Sequence, residues 1–383
     1  MKAIPMNQQP RSTLKYFLLA TFLSVALIGC SNENKPPQST ADIKAGKAIV
    51  DKECKACHGL DGKGAAPGIP NLAGQRERYL LTALNEYRDG TRVHAALRSI
   101  STNLSDTDRK NVAGYFASLP PIPPKKTAAF LPYENGKQMA KACAGCHGEN
   151  GNSKIAGTPN LAGQQPRYFY DATQEYMAGL RQAAPMNPLL HRLSRLNIES
   201  AALYYASQTP APRSAPPTGD PKKGEPLTAV CGGCHGEGGV SIDAATPSLA
   251  SQDPQYLAAA IKAYRTTRRK NDTMSRMVAN LTDQQINDIV AYYVTQKGRP
   301  AEDGKALVKD IIAKCNRCHA TDVYNPALAI PTLNGQDKDY LILALRAYRD
   351  GKRQNSLMHN MSIPYSDAVI ESLASYYSNQ SAK

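Results

Sequence analysis

Four copies of the motif Cys-x-x-Cys-His are the residues of this 383-residue chain best suited to chemistry. In this motif two thiols can form thioether bonds to a haem, while the adjacent imidazole becomes an axial ligand of the iron. The copies recur at nearly regular intervals of roughly 85 residues, which indicates a repeated domain of that length. The predicted attachment residues are Cys54, Cys57, Cys143, Cys146, Cys231, Cys234, Cys315 and Cys318, and the predicted proximal ligands are His58, His147, His235 and His319. The sequence therefore predicts four covalently attached haem c groups.

A zinc site or a redox dithiol would use the same residue types. A structural zinc site needs two ligand pairs close enough to form a tetrahedron, whereas here a domain length separates each pair from the next. Haem attachment is therefore the favoured interpretation. The four motifs use eight of the nine cysteines, and only Cys30 remains.

Cys30 ends an apolar segment near the N-terminus. The segment from Met1 to Lys15 carries basic but no acidic side chains, and the segment from Phe17 to Gly29 is almost wholly apolar. This pattern predicts a secretory signal that is too short to span a bilayer comfortably. Its last residues, Leu-Ile-Gly-Cys, resemble the bacterial lipobox, so we predict a lipoprotein signal peptide at residues 1–29 and a lipid-anchored flexible tether at 30–41. Conventional cleavage near Ala26 is the alternative.

The basic composition does not predict nucleic-acid binding. The formal net charge is +14, but four haems would bring about eight propionate carboxylates, so the mature holoprotein is expected to be only mildly basic.

Alignment of the repeats on their histidines shows a match without gaps. Counted from the histidine, every repeat has proline at position +12, leucine at +14, glutamine at +17, tyrosine at +21 and +29, and an aromatic pair at +57 and +58. The four domains are predicted at residues 42–119, 128–208, 219–298 and 301–383. The longest proline-rich linker lies near residues 209–220, which predicts that the first domain pairs with the second and the third with the fourth.

Within each repeat the apolar pattern is helical. In the first repeat we predict a helix at residues 43–54, a second at 76–88 with apolar residues on one face, and a third that begins after Ser105. No segment predicts a β-strand. The recurring tyrosines are expected to pack in the core and at the haem edge.

The combination of these motifs resembles the cytochrome c4 family of class I cytochromes c, whose members are two-domain, dihaem periplasmic electron carriers. The resemblance rests on Cys-x-x-Cys-His-Gly, on PNLAGQ at residues 70–75 and 159–164, and on the tyrosine-ended last helix. The resemblance extends over residues 42–383, which correspond to two dihaem units in tandem. It implies an all-α fold of four tandem class I cytochrome c domains, each with about three helices wrapped around one covalent haem. The departures are PSLASQ at 247–252, PTLNGQ at 331–336, and Ala320 in place of glycine.

The family also implies roles for two further positions. The carbonyl of the proline at position +12 accepts a hydrogen bond from the proximal imidazole, and the matching residues are Pro70, Pro159, Pro247 and Pro331. The distal ligand is a methionine in the loop before the last helix. Three repeats carry methionine at position +39, and these predicted ligands are Met186, Met274 and Met358. Met277, Met361 and His359 are neighbouring competitors, and a packing methionine is the alternative in each repeat.

The first repeat departs from this pattern because Leu97 occupies the methionine position. The second histidine of that repeat, His94, lies three residues earlier. We predict that His94 is the distal ligand of the first haem, which would then have the lowest potential of the four. The alternative is a surface His94 and an open, five-coordinate iron beneath Leu97. His191 has no counterpart in the other repeats and is expected to lie at the surface or to contact a propionate.

Together these features predict a tetrahaem cytochrome that carries single electrons and catalyses no reaction of its own. Expected partners are redox proteins: a quinol-oxidising complex, a soluble cytochrome, or a terminal oxidase or reductase. The expected location is the periplasmic side of a bacterial membrane, anchored by a lipid on Cys30, with Ser31 favouring the outer membrane. Two alternatives remain: a peroxidase-like enzyme that uses an open first haem, and a cytochrome subunit of a larger oxidoreductase complex.

Overall fold

The regular structure of the chain is helical. The computed structural model describes residues 39–301, 304, 306–323, 325, 328–353 and 356–382. The predicted signal peptide, Cys30 and most of the predicted tether lie outside the described residues. Within the described ranges the one strand-like feature is an isolated antiparallel bridge between Arg92 and Arg353. The all-α prediction is confirmed.

The helices repeat in the same order along the chain. The first repeat contains α1 (Ile43–Glu53), α2 (Lys55–His58), α3 (Glu77–Asp89), α4 (Ala95–Asn103) and α5 (Asp106–Ser118). The second contains α6 (Pro132–Ala140), α7 (Ala144–His147), α8 (Pro166–Met177), α9 (Met186–Leu190) and α10 (Arg195–Ala206). The third contains α11 (Pro221–Leu227), α12 (Gly232–His235), a 3₁₀ helix (Glu237–Gly239), α13 (Pro254–Arg265), α14 (Asp272–Val278) and α15 (Asp283–Thr295). The fourth contains α16 (Leu307–His319), α17 (Lys338–Arg349), α18 (Ser356–Ser362) and α19 (Asp367–Ser378). The three helices predicted for the first repeat correspond to α1, α3 and α5.

In the first three repeats the first and last helices cross at a glycine. A Cβ atom added to Gly46 of α1 would lie 2.2 Å from the carbonyl oxygen of Asn111 in α5, so a larger residue would force the helices apart. Gly136 and Gly224 occupy the same place in the second and third repeats, with a carbonyl oxygen 2.0 Å from the added atom. Each last helix begins at a capping box, formed by Ser105, Ser194 and Thr282. The first member of each box fixes where the helix starts.

The fourth repeat differs in its first and last helices. Helix α16 runs without interruption through the haem motif to His319, and α19 packs against α10 and α6 of the second repeat. Leu203 of α10 joins Ile311, Val369 and Leu373 in one buried apolar cluster. The second and fourth repeats therefore share a hydrophobic core.

Hydrogen bonds pair the second repeat with the third, so the predicted pairing across the linkers is wrong. The side chain of Gln252 donates to the Asn160 carbonyl (3.1 Å) and accepts from the Asn160 N–H (2.7 Å). In return, Gln164 donates to the Ser248 carbonyl (3.1 Å) and accepts from the Ser248 N–H (2.9 Å). These glutamines are the residues that recur at position +17.

The first and fourth repeats form the same interface. Gln336 donates to the Asn71 carbonyl (2.9 Å) and accepts from the Asn71 N–H (2.7 Å), while Gln75 makes the two equivalent bonds with Thr332 (2.9 and 2.8 Å). Each glutamine side chain thus makes one donated and one accepted hydrogen bond with the backbone of the facing repeat. The two glutamines of a pair do so symmetrically.

A charged interface connects the two pairs. The carboxylate of Glu199 in α10 accepts from the Ala368 N–H of α19 (2.8 Å), and Arg195 reaches both Glu199 (2.8 Å) and Asp367 (3.3 Å). Glu199 and Asp367 are buried. The described interfaces therefore join the repeats in the spatial order first, fourth, second, third.

Candidate haem-binding sites

Each Cys-x-x-Cys-His motif is folded into a helical turn. In the first repeat the His58 N–H donates to the Cys54 carbonyl (3.0 Å), so the first thiol and the imidazole lie one helical turn apart on the same side. The same bond joins His147 to Cys143 (2.9 Å) and His235 to Cys231 (3.0 Å). The eight motif cysteines form no disulfides, and the first thiol of each motif is half-buried. The motif residues are therefore free to face one bound group.

A hydrogen bond fixes the orientation of all four predicted proximal imidazoles. The Nδ1–H groups of these histidines donate to the carbonyl of the proline at position +12: His58 to Pro70 (3.1 Å), His147 to Pro159 (2.9 Å), His235 to Pro247 (2.9 Å) and His319 to Pro331 (2.9 Å). A carbonyl can only accept, so the proton lies on Nδ1 and the Nε2 lone pair is left for a metal. The contact that the family resemblance implied is present in every repeat.

Burial keeps these imidazoles neutral. It lowers the pKa of each one, and the bond to the proline carbonyl opposes that effect only in part. The pKa of His58 is lowered further by the nearby His94 imidazole, and that of His319 by the Arg76 guanidinium of the facing repeat. A neutral imidazole with a fixed tautomer is the form that binds iron. At all four motifs, cysteine thiols in a helical turn therefore lie beside an oriented imidazole, an arrangement that fits a covalently bound haem.

Comparison with known families agrees with this geometry. The family model "Cytochrome c" matches residues 43–120, 133–195 and 221–297, together more than half of the chain. The chain belongs to the cytochrome c family. Family membership and the four motifs support covalently bound haem c at four sites. The helical structure together with the repeated family match confirms the predicted tandem cytochrome c domains.

Individual relatives refine the type of cytochrome c. Cytochrome c4 of Pseudomonas aeruginosa is 33% identical over 199 residues, which cover 49% of this chain and 96% of that protein. The thiosulfate dehydrogenase electron acceptor of Thiomonas intermedia is 30% identical and covers 44% of this chain and 84% of that protein. The crystal structure of cytochrome c4 from Pseudomonas stutzeri matches 43% of this chain and 98% of its own, with 30% identity and a TM-score of 0.41. The two relatives matched by sequence, cytochrome c4 and the thiosulfate dehydrogenase electron acceptor, support a class I cytochrome of the c4 type that transfers electrons.

Two features are absent from the described residues. No group of three or more His, Cys, Asp or Glu side chains among them is placed to hold a metal ion by itself. None of the described helices combines the length and the apolar character needed to cross a membrane.

The three predicted distal methionines lie on the short helices that precede each last helix. Met186 begins α9, Met274 lies in α14 and Met358 lies in α18, and all three are half-buried. Met274 packs against the apolar core of its repeat, which includes Leu257 and Val278. The competitor Met277 is 45% exposed. The methionine at position +39 is thus the more buried of the two in the third repeat.

The competitor His359 and the surface histidine His191 both make local hydrogen bonds. The Nδ1–H of His359 donates to the Tyr348 carbonyl (2.6 Å), and that of the exposed His191 donates to the Asn187 carbonyl (2.7 Å). Both bonds lie within the histidine's own repeat and place the ring proton on Nδ1, as in the four proximal histidines, so they do not by themselves rule out ligation through Nε2.

His94 has two features that bear on the first haem. Its ring is close enough to lower the pKa of His58, and it packs edge-on against Tyr87 with centroids 6.1 Å apart. It is also the N-cap of α4, where Nδ1 accepts from the Leu97 N–H (3.2 Å). Asn271 is the same kind of cap in the third repeat and accepts from the Met274 N–H (2.9 Å). Capping places the proton of a neutral His94 on Nε2, so ligation through Nε2 requires that this bond be released.

The structure also reveals residues that the repeat comparison left without a role. An arginine occupies position +34 of every repeat, at Arg92, Arg181, Arg269 and Arg353. These arginines lie among the recurring tyrosines, which were expected only to pack in the core and at the haem edge. For example, the Arg353 guanidinium donates to the Tyr79 hydroxyl of the facing repeat (2.9 Å). The constant spacing in all four repeats is the signal that could have identified them.

Proposed function

We propose that this chain is a tetrahaem c-type cytochrome that carries single electrons in a periplasmic, membrane-associated respiratory chain. The observation that carries the proposal is the repeated bond from each motif imidazole to a proline carbonyl. That bond includes His319 of the fourth repeat, which lies beyond the segments matched by the family model. Four repeats with one geometry of the proximal ligand support four haem sites.

Each proposed site combines three kinds of residue. The two motif cysteines hold the haem, the motif histidine is the proximal ligand, and Met186, Met274 or Met358 is the distal ligand in the second to fourth repeats. In the first repeat the proposed distal ligand is His94, which is already near His58. Each haem would supply a one-electron ferric–ferrous couple. The chain's own residues orient the ligands, exclude water from the iron and bring the repeats together.

The domain limits follow from the same repeats. We propose cytochrome domains at residues 42–119, 128–208, 219–298 and 301–383, preceded by a signal peptide at 1–29 and a tether at 30–41. Their partners would be redox proteins, such as a quinol-oxidising complex, a soluble cytochrome, or a terminal oxidase or reductase. A subunit role in a larger oxidoreductase complex is compatible with this proposal. One relative is named a thiosulfate dehydrogenase electron acceptor, which supports an acceptor role for this chain as well.

Haem stoichiometry and electron count test the proposal. The full-length gene is expressed in a host with the cytochrome c maturation system, and the purified protein is measured by intact mass and by reductive titration. We expect four haems and four electrons per chain. The variant Cys315→Ala/Cys318→Ala is expected to lose one haem and one electron. A protein with three haems in both cases would contradict the tetrahaem assignment.

Lipid attachment is tested separately. We expect the mature chain to begin at a lipid-modified Cys30, and Cys30→Ala to release the cytochrome from membranes into the soluble fraction. Separation of inner and outer membranes then tests the expected outer-membrane location. An unmodified mature N-terminus near Ala26 would contradict the anchor.

A second candidate function rests on the capping role of His94. Because Nδ1 of His94 caps α4 and Leu97 occupies the methionine position, an open first iron would bind small ligands and could support peroxidase-like catalysis. Carbon monoxide binding to the reduced wild-type protein favours this candidate, whereas its absence favours ligation by His94.

A further inference from the structure

The residue directly after the interface glutamine divides the four repeats into two types. In the first and second repeats, position +18 holds a side chain with N–H donors, Arg76 or Gln165. In the third and fourth repeats it holds an aspartate, Asp253 or Asp337. Each observed interface joins one repeat with a donor to one repeat with an aspartate. Position +18 therefore takes complementary forms on the two sides of both interfaces.

The donor side chains at position +18 reach across the interface. The Arg76 guanidinium donates to the carbonyls of Ala320 (2.8 Å) and Ile330 (3.4 Å) in the fourth repeat. The Gln165 amide, which belongs to a residue only 6% exposed, donates to the Ser241 carbonyl of the third repeat (2.6 Å). Both side chains thus satisfy backbone acceptors that belong to another repeat.

The aspartates at position +18 accept across the same interfaces. Oδ1 of Asp337 accepts from the Gly68 N–H of the first repeat (2.8 Å), and Oδ1 of Asp253 accepts from the Gly157 N–H of the second (2.9 Å). An ionised carboxylate only accepts hydrogen bonds and a guanidinium only donates them. The two kinds of side chain therefore cannot take each other's place.

A glycine accompanies each donor side chain. Position +10 is Gly68 or Gly157 in the first and second repeats, and Ala245 or Ala329 in the third and fourth. Both glycines have a positive φ, 85° and 80°, whereas neither alanine does. A residue with a Cβ atom rarely adopts that conformation, so glycine allows this N–H to reach the facing aspartate. Two separate positions thus divide the repeats in the same way.

The donor side chains leave their own helices uncapped. Each residue at position +18 is the N-cap of the helix that follows, α3, α8, α13 or α17. Asp253 and Asp337 each accept from a backbone N–H of the first turn (2.8 Å), but Arg76 and Gln165 make no capping bond. Aspartate is among the preferred N-cap residues, so the helix alone would favour it in all four repeats. Pairing accounts for the donors instead.

We propose that the residues at positions +10 and +18 determine which repeats face each other. A repeat with glycine at +10 and a donor at +18 pairs with a repeat that has aspartate at +18. This pairing rule excludes the first repeat with the second and the third with the fourth, and it thereby decides which haem-binding sites share an interface. Of the two arrangements that remain, the observed one is favoured by Arg213 of the middle linker. Its guanidinium contacts both Asn160 of the second repeat (2.8 Å) and Asp253 of the third (3.4 Å).

Native-state hydrogen–deuterium exchange of the purified, full-length holoprotein tests the pairing rule. Arg76→Asp gives the two facing repeats the same residue at position +18. Peptides that contain the Asn71 and Thr332 amides, which bond across the first–fourth interface, are expected to lose about tenfold or more of their protection. The reason is the loss of the bonds from a charged donor to two carbonyls of the fourth repeat. Peptides of the second–third interface should stay protected and serve as the internal reference.

Three further variants separate the donor from other roles of Arg76. Arg76→Gln introduces the donor that the second repeat uses, so it is expected to retain most of the protection. Arg78→Asp makes the same change of charge at an exposed position two residues away and should have no effect. Gln165→Asp repeats the test at the second–third interface. Its loss should fall on peptides with the Asn160 and Ser248 amides and spare the first–fourth interface.

Three outcomes would overturn the pairing rule. The first is equal protection of the first–fourth interface in wild type and Arg76→Asp. The second is a loss in Arg76→Gln as large as that in Arg76→Asp, because the arginine itself rather than a donor would then be required. The third is a loss spread evenly over both interfaces, which would indicate general destabilisation.

Asp337→Ser covers the case in which Arg76→Asp does not fold. Serine is also a preferred N-cap, so α17 keeps its cap, but its side chain is shorter than that of aspartate. The Gly68 amide should therefore exchange faster while the amides of α17 stay protected. Unchanged protection of the Gly68 amide in this variant would overturn the proposed role of the aspartate.

Discussion

The glutamine-based interface offers the sharpest test of the domain arrangement. Gln252 is 6% exposed, and its side-chain oxygen accepts from the N–H groups of Asn160 (2.7 Å) and Asp253 (2.8 Å), while its amide donates to the Asn160 carbonyl (3.1 Å). Gln252→Ala removes all three bonds. Asn160 and Asp253 are themselves 4% and 3% exposed, so their N–H groups would be left buried without an acceptor.

The size of the effect follows from those two donors. Each buried, unsatisfied N–H costs about 1–3 kcal/mol, so Gln252→Ala should lower the free energy of opening of this interface by about 3 kcal/mol. That corresponds to about a 100-fold increase in the opening equilibrium. Native-state hydrogen–deuterium exchange with mass spectrometry measures this opening directly, because peptides that contain the Asn160 and Asp253 amides should lose about 100-fold of their protection.

A matched control and a double variant complete the experiment. Gln182 lies in the second repeat but is exposed, so Gln182→Ala should leave the same peptides protected. Gln164→Ala should cause a similar loss of protection. The loss of opening free energy in the double variant should be smaller than the sum of the two single losses, because both substitutions break the same interface. If Gln252→Ala exchanges like Gln182→Ala, the pairing of the second and third repeats is refuted.

Three further predictions concern packing, charge and ligation. Gly136→Ala should lower the free energy of unfolding by about 1–3 kcal/mol in thermal or denaturant titrations, because the new methyl group meets a carbonyl of the crossing helix at 2.0 Å. Burial raises the pKa of Asp367, but three neighbouring arginines outweigh it and hold the pKa below its ordinary 3.8. The ionised Asp367 carboxylate therefore stabilises the fold above pH 3.8, and this stabilisation is lost as the pH falls further. Denaturant titrations at decreasing pH should show that Asp367→Asn loses less stability in acid than the wild-type protein does. Met274→Ala should convert one haem to a high-spin state in optical and EPR spectra, whereas Met277→Ala should not; the reverse result would assign ligation to Met277.

The sequence alone predicts the helices well because their signals are local. An apolar stripe and a serine cap each lie within one turn or one helix. The observed α1 and α3 differ from the predicted helices by at most one residue at each end, and α5 begins directly after Ser105 as predicted. The contact from His58 to Pro70 was implied by the family resemblance, and the proline at position +12 of all four repeats matches it.

The domain pairing could not be read in the same way. All four repeats carry the glutamine that forms the interfaces, so sequence identity does not tell which repeat faces which. The choice depends on the wider surfaces, such as the buried Glu199 that joins α10 to α19. The capping bond of His94 was missed for a related reason, because a histidine near a ligand position suggests a metal ligand. Only the observed start of α4 at Ala95 shows that His94 also caps a helix.

The central claim is that four haems, each with two protein ligands, carry electrons and leave no iron open. Low-temperature EPR of the oxidised protein, combined with carbon monoxide binding to the reduced form, tests it for wild type and His94→Ala. We predict that the wild-type protein is wholly low-spin and inert to carbon monoxide, and that His94→Ala gains one high-spin, carbon monoxide-binding haem. A wild-type protein that already contains such a haem, unchanged by the substitution, would contradict this account.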